Sequence, residues 1–249
     1  MAAWAITLLS VIGVLVLIFA AVELHPHHRF IDAAGKKDPG KLAKWLAKNP
    51  DVNKPGLFGV TALACAVTEN RVENVKALLE RGADPNKLSM KMLPLQSAID
   101  HEKPEITELL LEFGADPQAE GIFGSSPIRD AADQGKADHL RIFILHGVDL
   151  NRIGSDGNPL LVSLLLSILA SKEPKRVSQR ECLKILLDAG ASPNLRAKDD
   201  VPPVLVALQD PPSLRLLVDA GAIQDVSYEG RDLKQEIEEV LRSLEANQD

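Results

Sequence analysis

A chain of 249 residues, 45% hydrophobic and 25% charged, has the composition of a folded protein, and 16 Gly with 16 Pro exclude collagen-like and low-complexity classes. Six Phe, two Trp and one Tyr, with a net charge of −7, supply neither the stacking platforms nor the basic surface that nucleic-acid binding requires. Two cysteines exclude a disulfide scaffold.

The first predicted element is residues 2–22, a run of 21 residues without a charge in which only Thr7 and Ser10 are polar. As a helix at ~1.5 Å per residue it reaches ~32 Å, enough for a ~30 Å hydrocarbon core, with Trp4 near one interface. A cleaved signal peptide would need a charged start and small residues before the cut. Here no Lys or Arg precedes the run, and Ile18 or Phe19 falls where a small residue belongs. A buried helix apolar on every side would need a larger protein around it. The run is therefore predicted to be an uncleaved transmembrane anchor, followed by a juxtamembrane linker at 23–29. Arg29, Lys36, Lys37 and Lys41 follow the span, which places the rest of the chain in the cytoplasm by the positive-inside bias. The opposite, periplasmic orientation is the alternative. The mean hydropathy of −0.01 thus averages an apolar span with a polar remainder.

The remainder repeats. Gly82, Gly114, Gly147, Gly190 and Gly221 are spaced by 32, 33, 43 and 31 residues, each after an apolar helix-like run such as Val75, Leu78 and Leu79. Upstream of them stand Thr61-Ala62-Leu63, Leu93-Pro94-Leu95, Ser126-Pro127-Ile128, Asn158-Pro159-Leu160 and Pro202-Pro203-Val204. Proline is tolerated at a first helical turn, Thr61, Ser126 and Asn158 are N-cap types, and glycine supplies a left-handed helix end. Ala66, Ala98 and Ala131 are the small inward residues of the first helices. In-phase copies of this pattern resemble the ankyrin repeat, with its Thr-Pro-Leu-His start and its glycine turn leading to Asp or Asn. The resemblance implies an all-α solenoid of about six helix-turn-helix repeats over residues 30–226. Asn49, 33 residues before Gly82, can take the left-handed turn of a first repeat. Residues 227–249 read as a C-terminal capping helix and tail, with Leu233, Ile237, Val240, Leu241 and Leu244 on one side.

Two departures stand out. Ala64, Gln96, Arg129, Leu161 and Leu205 occupy the position of the family's histidine, which removes a hydrogen bond that the resemblance leads one to expect. About ten extra residues around Ser171–Ser178 are predicted between the two helices of the fifth repeat, as either a tolerated loop or a functional insertion with a basic tip.

No catalytic constellation emerges: there is neither a phosphate loop nor a nucleophile elbow, so the protein is expected not to be an enzyme and to need no cofactor. Cys65 and Cys182, three repeats apart and unable to bridge, are expected to be buried structural thiols. His25, His27 and His28 read as a polar spacer rather than a metal site, for want of a fourth ligand. His101, His139 and His146 read as solvated.

What remains is surface. The predicted hairpin tips carry Leu57, Phe58, Met90, Met92, Ile122, Phe123 and Ile153, where polar residues are usual in the repeat. Leu57-Phe58-Gly59 and Ile122-Phe123-Gly124 share one register, so these residues form a candidate partner-binding stripe. The opposing reading packs the aromatics on neighbouring hairpins. Residues 23–56 carry seven Lys/Arg against four Asp/Glu, and residues 225–249 carry three against eight. A basic start suits an anionic membrane face.

The resemblance implies a non-catalytic scaffold that binds a protein partner through hairpin tips and concave face; the apolar run makes it membrane-anchored, and compact size with one anchor fits a bacterial origin. Nucleic acid and small-molecule substrates are not expected partners. An immunity or inhibitor protein that sequesters a toxin or enzyme is one alternative. A periplasmic stress-related accessory protein binding metal or haem is another.

Overall fold

The computed structural model describes residues 25–223 and 226–246. The predicted anchor at 2–22 lies outside them, and among the described residues no helix is long and apolar enough to cross a membrane. The chain divides into two units, one ending at Ala115 and the other beginning at Asp116.

The first unit stacks three helix pairs: α1 (Pro26–Ala34) with α2 (Pro39–Leu46), α3 (Ala62–Thr68) with α4 (Val72–Glu80), and α5 (Pro94–Asp100) with α6 (Pro104–Glu112). Each first helix packs on the next first helix, α1 on α3 and α3 on α5, and the second helices follow suit. Ala66 and Ala98 are fully buried between these layers, as are Val75, Leu78, Ile106 and Leu110. Thr61 caps α3 by accepting from the Ala64 N–H at 3.2 Å. The left-handed turns fall at Asn49, Gly82 and Gly114, with φ of 49°, 83° and 85°. Helix α1 starts at Pro26, so residues 26–29, predicted as linker, belong to the first repeat. Proline at the first turn and His25 as cap, accepting from the His27 N–H, begin the helix there.

The second unit continues the pattern with α7 (Pro127–Asp133) and α8 (Ala137–Leu145), α9 (Leu160–Ala170) and α10 (Lys175–Asp188), then α11 (Pro203–Ala207) and α12 (Pro211–Asp219). Ala131 is fully buried here too. Ahead of the capping helix, predicted from Asp232 to Leu244, residues 227–232 form a hairpin of β1 (Ser227–Tyr228) and β2 (Arg231–Asp232). Helix α13 (Lys234–Ala246) follows and packs on α12, burying Leu233 and Ile237.

Three further expectations are corrected here. The extra residues of the fifth repeat are a loop only at 171–174, and the rest lengthen the helices: α9 has 11 residues and α10 has 14, against 7 and 9 in α7 and α8. Arg176 turns inward, donating to the Ile168, Leu169 and Ser171 carbonyls at 3.1, 3.4 and 2.7 Å. These lie at a helix end, where carbonyls lack intrahelical partners. Asn158 does not cap α9, because its side-chain amide donates to Asp156 at 3.2 Å and the helix begins beyond Pro159. His139 is buried rather than solvated, at 3% exposure, because it lies on the inner face of α8 beside Leu140.

Neighbouring repeats are clasped by the amide that follows a left-handed turn. Asn53 accepts from the Asp84 N–H and donates to the Gly82 carbonyl, both at 2.8 Å. Asn86 donates to the Gly114 carbonyl at 2.9 Å. In the second unit Asn194 accepts from the Ile223 N–H at 2.8 Å and donates to the Gly221 carbonyl at 3.2 Å. Asn53→Ala deletes two such bonds and is expected to cost about 1–2 kcal/mol, read as a lower urea midpoint at unchanged slope. An unchanged midpoint would reduce the clasp to a bystander.

Candidate interaction surface

The first tip is closed by the Gly56 N–H donating to the Val60 carbonyl at 2.7 Å and the Gly59 N–H to Gly56 at 3.2 Å. This short turn forces Phe58 to φ 57°, a left-handed conformation that an aromatic residue rarely holds. The ring gains nothing from it in packing: Phe58 is 81% exposed and Leu57 49%. The second tip is a bridge in which Ser89 and Met92 exchange N–H···O bonds of 2.9 and 3.0 Å. Met90 and Lys91 between them are both left-handed, at φ 49° and 73°. Met90 is exposed, whereas Met92 is half-buried. The buried Ser89 hydroxyl accepts from the Thr61 N–H at 3.1 Å, fixing the second tip against the start of α3.

Below these tips a groove of about 250 Å³ runs between α3 and α5. Val60, Met90, Met92 and Leu93 line its tip end, Cys65 its wall, and His101 its far end. There the Thr68 and Ser97 hydroxyls lie 3.2 Å apart, and a His101 ring nitrogen lies 2.8 Å from the Ser97 carbonyl. Burial raises the Cys65 thiol pKa and the nearby Glu69 carboxylate adds to the rise, so the thiol stays protonated and unreactive. Cys182 is fully buried, which pushes it up to about 12. Both cysteines are free.

In the second unit the third tip exposes Ile122 and Phe123, the latter at 82%, in a turn closed by Gly121 and Ser125 at 2.9 Å. The fourth exposes Ile153. Acidic groups tie these two together: Glu120 accepts from the Ser155 N–H at 2.9 Å, and Asp156 accepts from Arg129 at 3.0 and 3.2 Å. The cleft between them is only about 30 Å³, room for about two waters. Asp199 and Glu229 hold the left-handed tip position later in this unit. The aromatics therefore project into solvent and are not packed on neighbouring hairpins, within each unit. Six of the seven predicted tip residues are exposed, and Met92 forms groove wall.

Sequence reasoning passed over the lysines at the first two tips. Among the described residues, no carboxylate lies within ion-pair distance of Lys54, Lys87 or Lys91, whereas Lys36, Arg71, Arg129, Arg141 and Arg180 all have one. Three lysines within two turns were a visible signal, hidden because charge was summed over long segments. His25, His27 and His28 do not converge on one point. A His27 ring nitrogen lies 2.9 Å from the Lys54 carbonyl, and no group of three or more His, Cys, Asp or Glu among the described residues is placed to hold a metal ion.

The family model for ankyrin repeats matches residues 30–121 in three copies. The chain is 37% identical to mouse Cyclin-dependent kinase 4 inhibitor B over 91 residues, 36% of this chain and 69% of that protein. It is 26% identical over 198 residues to the Putative ankyrin repeat protein YahD of Escherichia coli, covering 78% of this chain and 96% of that one. Other curated relatives are far longer, and the chain spans 8% and 28% of two of them. Among solved structures, the ankyrin repeat domain of Bcl-3 superposes with a TM-score of 0.74 at 17% identity, covering 86% of this chain and 97% of that one.

Proposed function

The chain belongs to the ankyrin repeat family, and we propose from that premise that it is a non-catalytic scaffold that captures a protein partner on its hairpin tips and concave groove. Ankyrin repeats generally mediate protein–protein interaction. The observation that carries the reading here is Phe58, a bulky residue held at φ 57° with its ring in solvent. Stability alone would favour Gly, Asn or Asp at such a position, and Asp199 sits at the equivalent place in a later tip. An exposed aromatic kept against backbone preference is the mark of a residue retained for binding. Leu57, Met90 and Met92 complete the proposed surface of the first unit, and Ile122, Phe123 and Ile153 are the proposed contacts of the second.

The test is affinity capture from native membranes with the Phe58→Asp/Phe123→Asp double variant as control. The variant is expected to lose partner capture while its thermal unfolding stays within about 0.5 kcal/mol of the parent, since both rings are exposed. A large loss of stability would show that the rings pack, and retained capture would move the site elsewhere.

The reading includes a membrane tether by residues 2–22, with the repeats on the cytoplasmic side. It rests on the 21-residue uncharged run and the lysines that follow. A reporter fused after Asp249 is expected to be active only inside the cell, and activity on the outer side alone would reverse the orientation. An inhibitor that sequesters an enzyme or toxin is the second reading, supported by the 37% identity to a protein named as a kinase inhibitor.

A further inference from the structure

We infer that the first unit selects a partner segment that combines large apolar side chains with carboxylates. This deepens the proposed function and rests on it. At the two tips that open the groove Phe58, Leu57 and Met90 stand exposed, and Lys54, Lys87 and Lys91, with no carboxylate within ion-pair distance among the described residues, outnumber the exposed Asp51 and Asp84 of the same turns, while Glu69 lies deeper along the groove. In the second unit the tips are different, for their charged groups are mainly acidic and Asp156 is already held by Arg129. Ammonium groups that hold no carboxylate among the described residues give an apolar patch a net positive rim, the arrangement that pairs with an acidic rim on a partner.

The groove decides between a macromolecular segment and a lipid surface. At about 250 Å³ it has room for one or two large side chains, with Met90, Met92 and Leu93 at its mouth and Cys65 on its wall. An anionic bilayer could touch the tips, but it is flat on this scale and would leave the concavity unfilled. A peptide side chain fills it while neighbouring Asp or Glu residues reach the lysines. Methionines at the mouth suit this role, since their unbranched thioethers adapt to the side chain that enters.

The test uses the full chain in detergent micelles against a display library of random 12-residue peptides. Selection is expected to enrich peptides carrying Asp or Glu together with Leu, Phe or Trp. The best of these, fluorescein-labelled, is expected to bind the Lys54→Glu/Lys87→Glu/Lys91→Glu variant about tenfold or more weakly, and to weaken with added salt. Met90→Glu should remove binding at both low and high salt. Both variants alter exposed tips, and thermal unfolding of each is measured alongside. Enrichment of basic or uncharged peptides would overturn the inference, as would binding that the triple variant leaves intact. So would binding to phosphatidylserine vesicles with no peptide enriched. If the selected peptides prove non-acidic yet are lost with Phe58→Asp, the chemistry inferred here falls while the proposed surface stands. Peptides indifferent to every tip substitution would remove the surface itself.

Discussion

Replacing Arg180 with alanine is expected to lower the unfolding free energy by about 3 kcal/mol, the scale of a buried ion pair that loses one partner. Asp210 is 3% exposed at the start of α12, and its carboxylate accepts from the Arg180 guanidinium through both oxygens and from the Ser213 N–H and hydroxyl. Burial pushes the Asp210 pKa up, but the hydrogen bonds from Arg180 and then Ser213 outweigh it, leaving the carboxyl below its usual range. The pair therefore stabilises the fold above about pH 4, and that contribution fades as pH falls through the lowered folded value. Removing Arg180 strands the charge between α10 and α12, the contact that joins the lengthened fifth repeat to its successor. In a repeat array each unit leans on its neighbours, so α11 to α13 should unfold before the rest of their unit. Urea denaturation followed by circular dichroism is expected to show a lower midpoint and a broader transition. Arg180→Lys should recover part of the loss by restoring charge without the two-pronged geometry. The Arg180→Ala/Asp210→Ser double variant should cost less than the sum of its parts, because Ser keeps a cap and removes the orphaned charge. Additive costs would mean that the pair contributes nothing as a pair.

The repeat was legible because its signals are local and recur. Glycines at a near-constant interval mark left-handed helix ends, proline marks first turns, and the asparagines after each turn became the clasps between layers. The small inward alanines were equally readable, since only a small residue lets first helices approach. What failed were features set by partners distant in sequence. The extra residues of the fifth repeat look like a loop because Lys172, Glu173 and Pro174 are polar or helix-breaking. Residues 171–174 do connect the two helices, but residues 175–178 open α10, where Arg176 donates to the carbonyls at the end of α9 and Arg180 finds Asp210, 30 residues on. His139 reads as solvated until the face of α8 it occupies is known. At the tips the identity of the exposed residues was readable and their conformation was not. Nothing in Leu57-Phe58-Gly59 against Ile122-Phe123-Gly124 tells that Phe58 is left-handed, whereas in the other tip only Gly124 has positive φ. That difference separates an aromatic that merely projects from one held there against its backbone preference.

Asp133 should make the protein's stability respond to pH in the direction opposite to most carboxylates. It lies at the end of α7, where burial pushes its pKa up to about 6. Arg129 pulls it down, Asp130 raises it, and the Ser167 hydroxyl, which also accepts from Gln179 at 2.8 Å, is too weak a compensation. The Asp133 Oδ1 is buried with no donor, and so is the Oε1 of the fully buried Gln179. A carboxyl whose folded pKa is raised holds its proton more tightly when folded. Its contribution is complete below about pH 4, the unfolded value, and is lost as pH rises through about 6. The whole protein's profile mixes this with Asp156 and Asp210, whose lowered values act the other way. The useful quantity is therefore the difference between the parent and Asp133→Asn, which keeps an acceptor for Ser167 and cannot ionise. Between pH 4 and pH 7.5 the variant is expected to gain on the parent by about 2.5 kcal/mol, with the midpoint of the gain near pH 5, between the unfolded and folded values, and the gain nearly complete above pH 6. Urea titrations at half-unit intervals of pH measure it. Parallel curves for the two proteins would mean that Asp133 titrates alike folded and unfolded, and that water reaches the buried carboxylate. A gain centred near pH 5 that levels off above pH 6 would identify this junction of α7, α9 and α10 as the place where the second unit loosens as the surrounding pH rises.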